Sequence, residues 1–484
     1  MSSPLTRRQA VAALLAPALI GLTRKSPPRI AGGFVDDGGA TGHRLRDGAA
    51  MPAVRRTVRT GVVIVGAGIA GLSAAWWLRR RGMDDFVVLE LERQAGGNSR
   101  WGENDATRFP WAAHYVPLPG PEATLVRTLF EELGVWRDGA WDERHLVFAP
   151  RERLLVHGEW QPDVEPHFAL PAWEREEMRR FHERMAELRA TGAFTVPSRA
   201  APGAALARSA PLDRESMAAW LDRERFRSPA LRWYVDYACR DDYGALARDT
   251  SAWAGVHYFA SRTDDDAEGP LTWPEGNGFV VRKLLERTGP RVITGAPVHR
   301  VERAPGGKVR VLRGDVAYLA DQVVLAAPGF VAARLVESGV PLAPARAYSP
   351  WLTANLVLRR PPRERRGAEP SWDNVIYDSP SLGYVVANHQ SLRTHEPRPV
   401  WTFYHALSDG TPSAGRQLLL GRSWRDWVEW ILADLARAHP DIRDCVERVD
   451  VLRMGHAMVR PTVGFLGDLA REAAPSALLG GRVH

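Results

Sequence analysis

The sequence predicts an α/β fold, in which a parallel-sheet domain of dinucleotide-binding type carries an inserted α+β lobe. Two observations lead to this. A strand, a glycine turn, a helix, a second strand and an acid follow one another within residues 61–100, and a long, mainly helical stretch at 144–262 interrupts the strand-rich remainder. The chain has 484 residues, 45% of them hydrophobic, enough to bury a large core and too many for one ordinary domain.

The chain opens with a charged start containing Thr6-Arg7-Arg8, followed by an apolar run at 11–22 interrupted by Pro17. That run falls short of the roughly 20 residues a bilayer requires, but it has the order of an export signal. It resembles a twin-arginine signal, with Ala10 where that motif has an aromatic and no clean small-x-small cleavage site after Gly21. Residues 1–30 are therefore expected to direct export to the periplasm, either cleaved or retained as an anchor at the membrane. Residues 31–60, rich in Gly, Pro and charge, read as an extended lead-in. Net charge is +7, but only three of the 64 basic residues are lysine and the arginines are scattered. No basic stripe of the kind that binds nucleic acid is formed. Cys239 and Cys445 lack the spacing of a disulfide framework or a metal site. The expected partner is a small-molecule substrate, and no pattern specifies an oligomeric state.

Residues 61–65 (GVVIV) form a short uncharged β-branched run, as in a strand buried on both faces. Gly66, Gly68 and Gly71 then allow a tight turn, close approach of a pyrophosphate, and close packing of the next helix. Ile69 and Ala70 lie at the junction of turn and helix, where free N–H groups face phosphate. The helix reads as 72–81, its arginines at the C-terminal end. A second strand, 86–89, delivers Glu90 to the hydroxyls of a ribose. These elements in this order make a Rossmann-like site.

The next residues, Leu91-Glu92-Arg93-Gln94-Ala95-Gly96-Gly97-Asn98, resemble the Glu-Ala-x-x-Arg-x-Gly-Gly-Arg segment of the flavin amine oxidase superfamily, which includes protoporphyrinogen oxidase and phytoene desaturase relatives. The resemblance implies FAD as cofactor, with Leu91, Gly96, Gly97, Asn98 and Arg100 along it. Gln94 and Asn98 replace the family's two arginines. It also implies that Ala112 and Ala113 carry the chain past the flavin ring and that Val298 meets the adenine. His114, which follows that pair, reads as lying by the flavin and the substrate pocket, with a hydrogen-bonded structural histidine as the alternative. Residues 271–278 resemble the family's Pro-x-Gly-Gly segment, and 321–329, with Ala327 and Pro328, the return beside the dinucleotide.

Apolar residues Met178, Phe181, Met185 and Leu188 recur at helical spacing within 173–190, which reads as core. Residues 231–258 are unusually dense in titratable and aromatic side chains and read as substrate-facing. Asp241 and Asp242 are candidates to bind a cationic amine, walled by Tyr243, Trp253 or Tyr258; pairing with Arg240 is the alternative. His114, Asp241, Asp242 and Tyr243 are thus the catalytic candidates, and Trp372, Asp373, Asn374, His389 and Tyr404 further pocket candidates, with His456 facing the ring.

The expected organisation is a discontinuous FAD domain at 61–143, 263–340 and 451–484, and a substrate lobe at 144–262 and 341–450. The family's closing strand, its pyrophosphate-binding Gly-Asp pair and its last helix have no counterpart before His484, so the C-terminal flavin-binding part is expected to be incomplete. The resemblance implies hydride transfer from an amine or similar C–H donor, with oxygen or another acceptor downstream. The alternatives are a desaturase or porphyrinogen-oxidase-like enzyme on an apolar substrate, and a non-catalytic flavin-fold binding protein.

Overall fold

The computed structural model describes residues 29–35, 38–262, 269–336, 346–391, 397–467 and 482–484. Residues 1–28 of the export-signal segment lie outside them.

Fourteen strands of the described residues build two large sheets. In chain order they are β1 (Ala31–Phe34), β2 (Arg56–Val65), β3 (Phe86–Leu89), β4 (Glu152–Val156), β5 (Glu159–Pro162), β6 (Val292–Ile293), β7 (Val298–Arg303), β8 (Val309–Arg313), β9 (Val316–Leu325), β10 (Tyr348–Leu358), β11 (Asp373–Ile376), β12 (Gly383–Val386), β13 (Val400–Ala406) and β14 (Val446–Val459). The helices that matter below are α1 (Gly39–Arg46), α2 (Ile69–Arg80), α3 (Ala172–Ala190), α4 (Pro229–Tyr243), α5 (Ala252–Ala260), α6 (Gly278–Thr288), α7 (Gly329–Leu335) and α8 (Trp424–Leu435).

The first sheet runs β6-β3-β2-β9-β8-β7. Its parallel centre, β6-β3-β2-β9, is buried on both faces. Val62, Ile64 and Val88 pack in the cluster formed with Leu72, Trp76 and Val281, while Val63, Val65, Val87 and Leu89 pack on the other face with Val298 and Val311. That two-sided burial is why the strands read as unbroken apolar runs.

The second sheet runs β1-β14-β10-β13-β12-β11-β4-β5. Its residues alternate between two cores. Leu352, Ala354, Leu356 and Phe403 face Trp427 and Ile431 of α8, whereas Trp351, Val375 and Tyr404 face Tyr237 and Tyr234 of α4. The helices α3, α4 and α5 share a further core around Phe181, Trp220 and Trp253.

The structure redraws the sequence-based boundaries at four places. Residues 31–34, taken as lead-in, form edge strand β1 parallel to β14, and β2 begins at Arg56 rather than 61. The stretch 144–262 is not only helical, because β4 and β5 belong to the second sheet. Residues 451–459 lie in β14, paired with β10 in the substrate sheet and not in the nucleotide domain. Finally, residues 482–484 do run strand-like beside β9, with His484 N–H donating to Val323 O (3.0 Å) and Leu325 N–H to His484 O (2.8 Å).

Candidate active site

The glycine turn forms a cradle by contacts that side chains would fill. A Cβ on Gly71 would stand 1.9 Å from Gly66 O, and one on Gly66 (φ +105°) would stand 2.6 Å from Ala326 O. Gly68 pairs with Gly96 as an isolated bridge, and a Cβ on Gly97 would meet Gly68 Cα at 3.4 Å. Two glycine turns therefore touch backbone to backbone. Around them Ile69, Ala70, Gly97, Asn98 and Pro328 remain exposed, so the N–H groups of the first turn of α2 open onto a groove that suits a pyrophosphate.

Glu90 closes one end of this groove. Its buried carboxylate accepts from Ala67 N–H (2.6 Å) and Glu92 N–H (2.9 Å), which fixes the acid at the turn. Leu91 follows, half-buried. Ala327 and Pro328 lie just after β9, where Ala326 N–H donates to Val65 O (2.8 Å), and Pro328 precedes α7. Val298 is buried in the sheet core. Asn98 donates to Ala457 O (2.7 Å), tying the groove to β14. Arg100 donates to Gly97 O (3.1 Å) and lies 3.7 Å from Glu92, so its guanidinium braces the turn.

The loop at Ala112–His114 is pinned from both domains. Ala113 N–H donates to Asn98 O (2.9 Å), Asn277 N–H to Ala113 O (3.0 Å) and Thr272 Oγ1 to His114 O (2.7 Å). Tyr404 donates its hydroxyl to Ala112 O (2.9 Å). Gly276, at φ +55°, admits the loop because a Cβ there would meet His114 Cα at 2.7 Å. The His114 ring lies between Tyr404, Tyr115 and Trp372, at centroid distances of 4.8, 5.1 and 5.4 Å. Burial pushes its pKa down to about 4, so the imidazole is neutral at physiological pH.

From this loop opens a cavity of about 750 Å³ between the second sheet and the helices. His114, Tyr115 and Trp372 line one end, and Tyr234, Tyr237 and Asp241 of α4 one wall. These α4 residues, at i, i+3 and i+7, share one helix face. That periodicity corrects the candidate set. Asp242 and Tyr243 fall off the face: Asp242 accepts from Arg262 Nη2 (3.0 and 3.3 Å), and Tyr243 donates its hydroxyl to Ala254 O (2.8 Å) in the helical core. Trp253 likewise turns inward and donates to Ser209 Oγ (3.1 Å). Asp241 alone of the catalytic acids reaches the cavity. Tyr258 does line it, with the Arg262 guanidinium 3.9 Å above its ring.

Of the remaining candidates, Asp373 faces the cavity and Asn374 faces away, buried against Arg153. His389 is held by Phe148 O (2.9 Å). His456 is exposed, its ring 4.7 Å from that of Phe330 and tilted by 34°. Glu152 and Arg262 are cavity residues that sequence reasoning passed over. Desolvation in the cavity raises the pKa of Asp241 and Asp373, both half-buried, and of Glu152, which is exposed at the cavity; the next contribution comes from Asp163 at Glu152, from Asp242 at Asp241 and from Glu152 at Asp373.

A glycine cradle that a dinucleotide fits, joined through the Ala112–His114 loop to a cavity of mixed acidic and aromatic lining, defines a nucleotide-dependent protein with its own substrate lobe. Comparison carries this further. The chain belongs to the flavin-containing amine oxidoreductase family, whose model matches residues 69–449. Its cofactor is FAD. A stretch of 101 residues is 37% identical to L-amino acid oxidase Lm29 of Lachesis muta, spanning 19% of this chain and 18% of that protein. The fold is similar to a double mutant of putrescine oxidase (TM-score 0.64, 19% identity, 88% of this chain and 93% of that one). It is also similar to cyclohexylamine oxidase from Brevibacterium oxydans IH-35A (TM-score 0.64, 17% identity, 88% and 92%).

Proposed function

We propose that the protein is an FAD-dependent oxidase of amines. The observation that carries this is the cavity, whose aromatic end at His114, Tyr115 and Trp372 abuts the Ala112–Ala113 loop while Asp241, Glu152 and Asp373 offer it negative charge. Carboxylates clustered at one cavity disfavour one another's charge, and a cationic amine entering the cavity relieves that repulsion. Bound FAD supplies the acceptor for a hydride from the carbon next to nitrogen. The chain's residues would hold that cofactor at Gly66–Gly71, Glu90 and Gly96–Gly97, and orient the substrate between the aromatic rings. The printed names of the two structural neighbours, both amine oxidases, agree with this reading. The test is anaerobic reduction of the FAD-loaded protein, followed by loss of flavin absorbance, with amines set against apolar polyenes and porphyrinogens. Bleaching by the apolar donors alone would overturn the reading. We also propose export through the Arg7-Arg8 signal, which rests on the sequence of residues 1–30.

A further inference from the structure

An amine reaches the cavity as an ammonium ion, whose nitrogen has no free electron pair to assist C–H cleavage. Something must take its proton. In water the transfer from an alkylammonium, reference pKa about 10.4, to an ordinary carboxylate near 4 is uphill by roughly 9 kcal/mol. Burial narrows that gap from both sides, because it disfavours the charged form of acid and amine alike.

Two carboxylates are built into the cavity wall in a manner suited to this. Glu152 and Asp373 are register partners in the parallel β4–β11 pair. Strands in a sheet lie about 4.8 Å apart, and register partners point to the same face, so the two acids project side by side; both line the cavity, Asp373 half-buried and Glu152 exposed at it. Like charges placed opposite each other on a sheet destabilise it. Among the described residues neither acid has an Arg, Lys or His within ion-pair distance, and no three of the described His, Cys, Asp or Glu converge as metal ligands. Asp373 follows Trp372, whose ring lies 5.4 Å from that of His114, tilted by 51°. The pair is surrounded by Asp241, Tyr234 and Tyr237 of α4, Tyr404 of β13, Asp163 after β5, and Arg151 and Arg262, which oppose the acids' charge only at longer range; Glu165, His167, and His182 and Arg189 of α3 line the same cavity.

We propose that Asp373, backed by its strand partner Glu152, takes the proton from the substrate ammonium and so produces the neutral amine inside the cavity. An N–H bond breaks, an O–H bond forms on the carboxylate, and the N–H electron pair stays on nitrogen. The inference rests on the amine reading above and names the base that reading requires.

The test is the pH dependence of flavin reduction, as kcat/KM, for amines of graded ammonium pKa, in the wild type, Asp373→Asn and Glu152→Gln. In the wild type the acidic limb is set by the carboxylate pair and falls at one pH for every amine. In Asp373→Asn it moves to each amine's own pKa, so that at pH 7 an alkylamine of pKa about 10.4 loses up to ~1000-fold while a weakly basic amine loses little. A second readout needs no turnover: binding of a tert-alkylamine, which has no hydrogen on the carbon next to nitrogen, produces a deuterium-sensitive carboxylic-acid infrared band in the wild type that Asp373→Asn lacks. Superposable limbs in wild type and variant, with no such band, would overturn the proposal and leave the amine reading intact. Failure of every amine to reduce the flavin would bring down both.

Discussion

Replacing Gly71 by Ala is the sharpest test of the cofactor cradle. The added Cβ would stand 1.9 Å from the carbonyl oxygen of Gly66, more than 1 Å inside the 3.0 Å below which such contacts essentially never occur. The obstacle is backbone, so no rotamer change relieves it; either α2 moves off the sheet or the turn opens. Overpacking costs of this kind run to about 3 kcal/mol, and the displaced atoms are those that face the pyrophosphate. If the distortion falls on the holo turn, FAD affinity drops by about 100-fold. Gly82→Ala is the control: its φ of +75° strains an alanine, but nothing lies within 4 Å of the added atom, so it should cost about 1 kcal/mol of stability and leave FAD binding unchanged. Both proteins would be titrated with FAD by difference absorbance, with circular dichroism reporting the fold. A folded Gly71→Ala protein that binds FAD as tightly as Gly82→Ala would refute the placement of the pyrophosphate at this turn.

Other expectations follow from single contacts. Tyr404→Phe removes the donor to Ala112 O, worth about 1 kcal/mol, and should slow flavin reduction roughly 5-fold at unchanged FAD occupancy. His405, buried with Nδ1 3.1 Å from Pro380 O, has its pKa pushed down from 6.5 to about 3 by burial. The unfolded chain therefore takes up a proton that the folded one refuses, and stability is lost as pH falls from about 6.5 toward 3; between pH 7.5 and 5 urea unfolding should show His405→Gln losing about 2 kcal/mol less than wild type. Trp427, fully buried against the second sheet, should cost about 3–5 kcal/mol as Trp427→Ala, measured by the same unfolding. Changing Arg7 and Arg8 both to Lys should stop export of a reporter fused after residue 30 in a bacterial host, as judged by fractionation.

What the sequence disclosed was what is local. The β2 run, the glycine turn, α2 and Glu90 all lie within about 35 residues, and each needs only its neighbours to be recognised. The segment 231–258 was also recognisable by its density of polar and aromatic side chains, but density does not choose a helix face. The structure chooses Tyr234, Tyr237 and Asp241 because α4 turns that face inward, and Arg262 then occupies Asp242. β1 was illegible for the opposite reason. In Ala-Gly-Gly-Phe only the phenylalanine favours a strand, yet Gly32 is required there, because at φ +124° a Cβ would stand 1.9 Å from Val449 O of the neighbouring strand. Residues that mark a loop in the sequence here mark a close approach.

Glu152 escaped sequence reasoning because its role is made by a strand pairing across more than 200 residues, and that pairing is enforced from the hidden face. The next register pair, Arg153 and Asn374, points away from the cavity, and Arg153 Nε donates to Asn374 Oδ1 at 2.5 Å. Arg153, 1% exposed, also donates to Glu364 (3.0 Å) and lies 4.0 Å over the Trp160 ring. A slip of one residue between β4 and β11 would carry one acid to the hidden face and leave the guanidinium without its partners. Removing one member of a buried charge network costs about 3–5 kcal/mol, more than the repulsion of two cavity carboxylates screened at an effective dielectric near 20, about 3 kcal/mol at 5 Å. The hidden network can therefore hold two like charges side by side in a cavity that would otherwise separate them, and the proton affinity of the acidic wall follows from an arginine that never touches it.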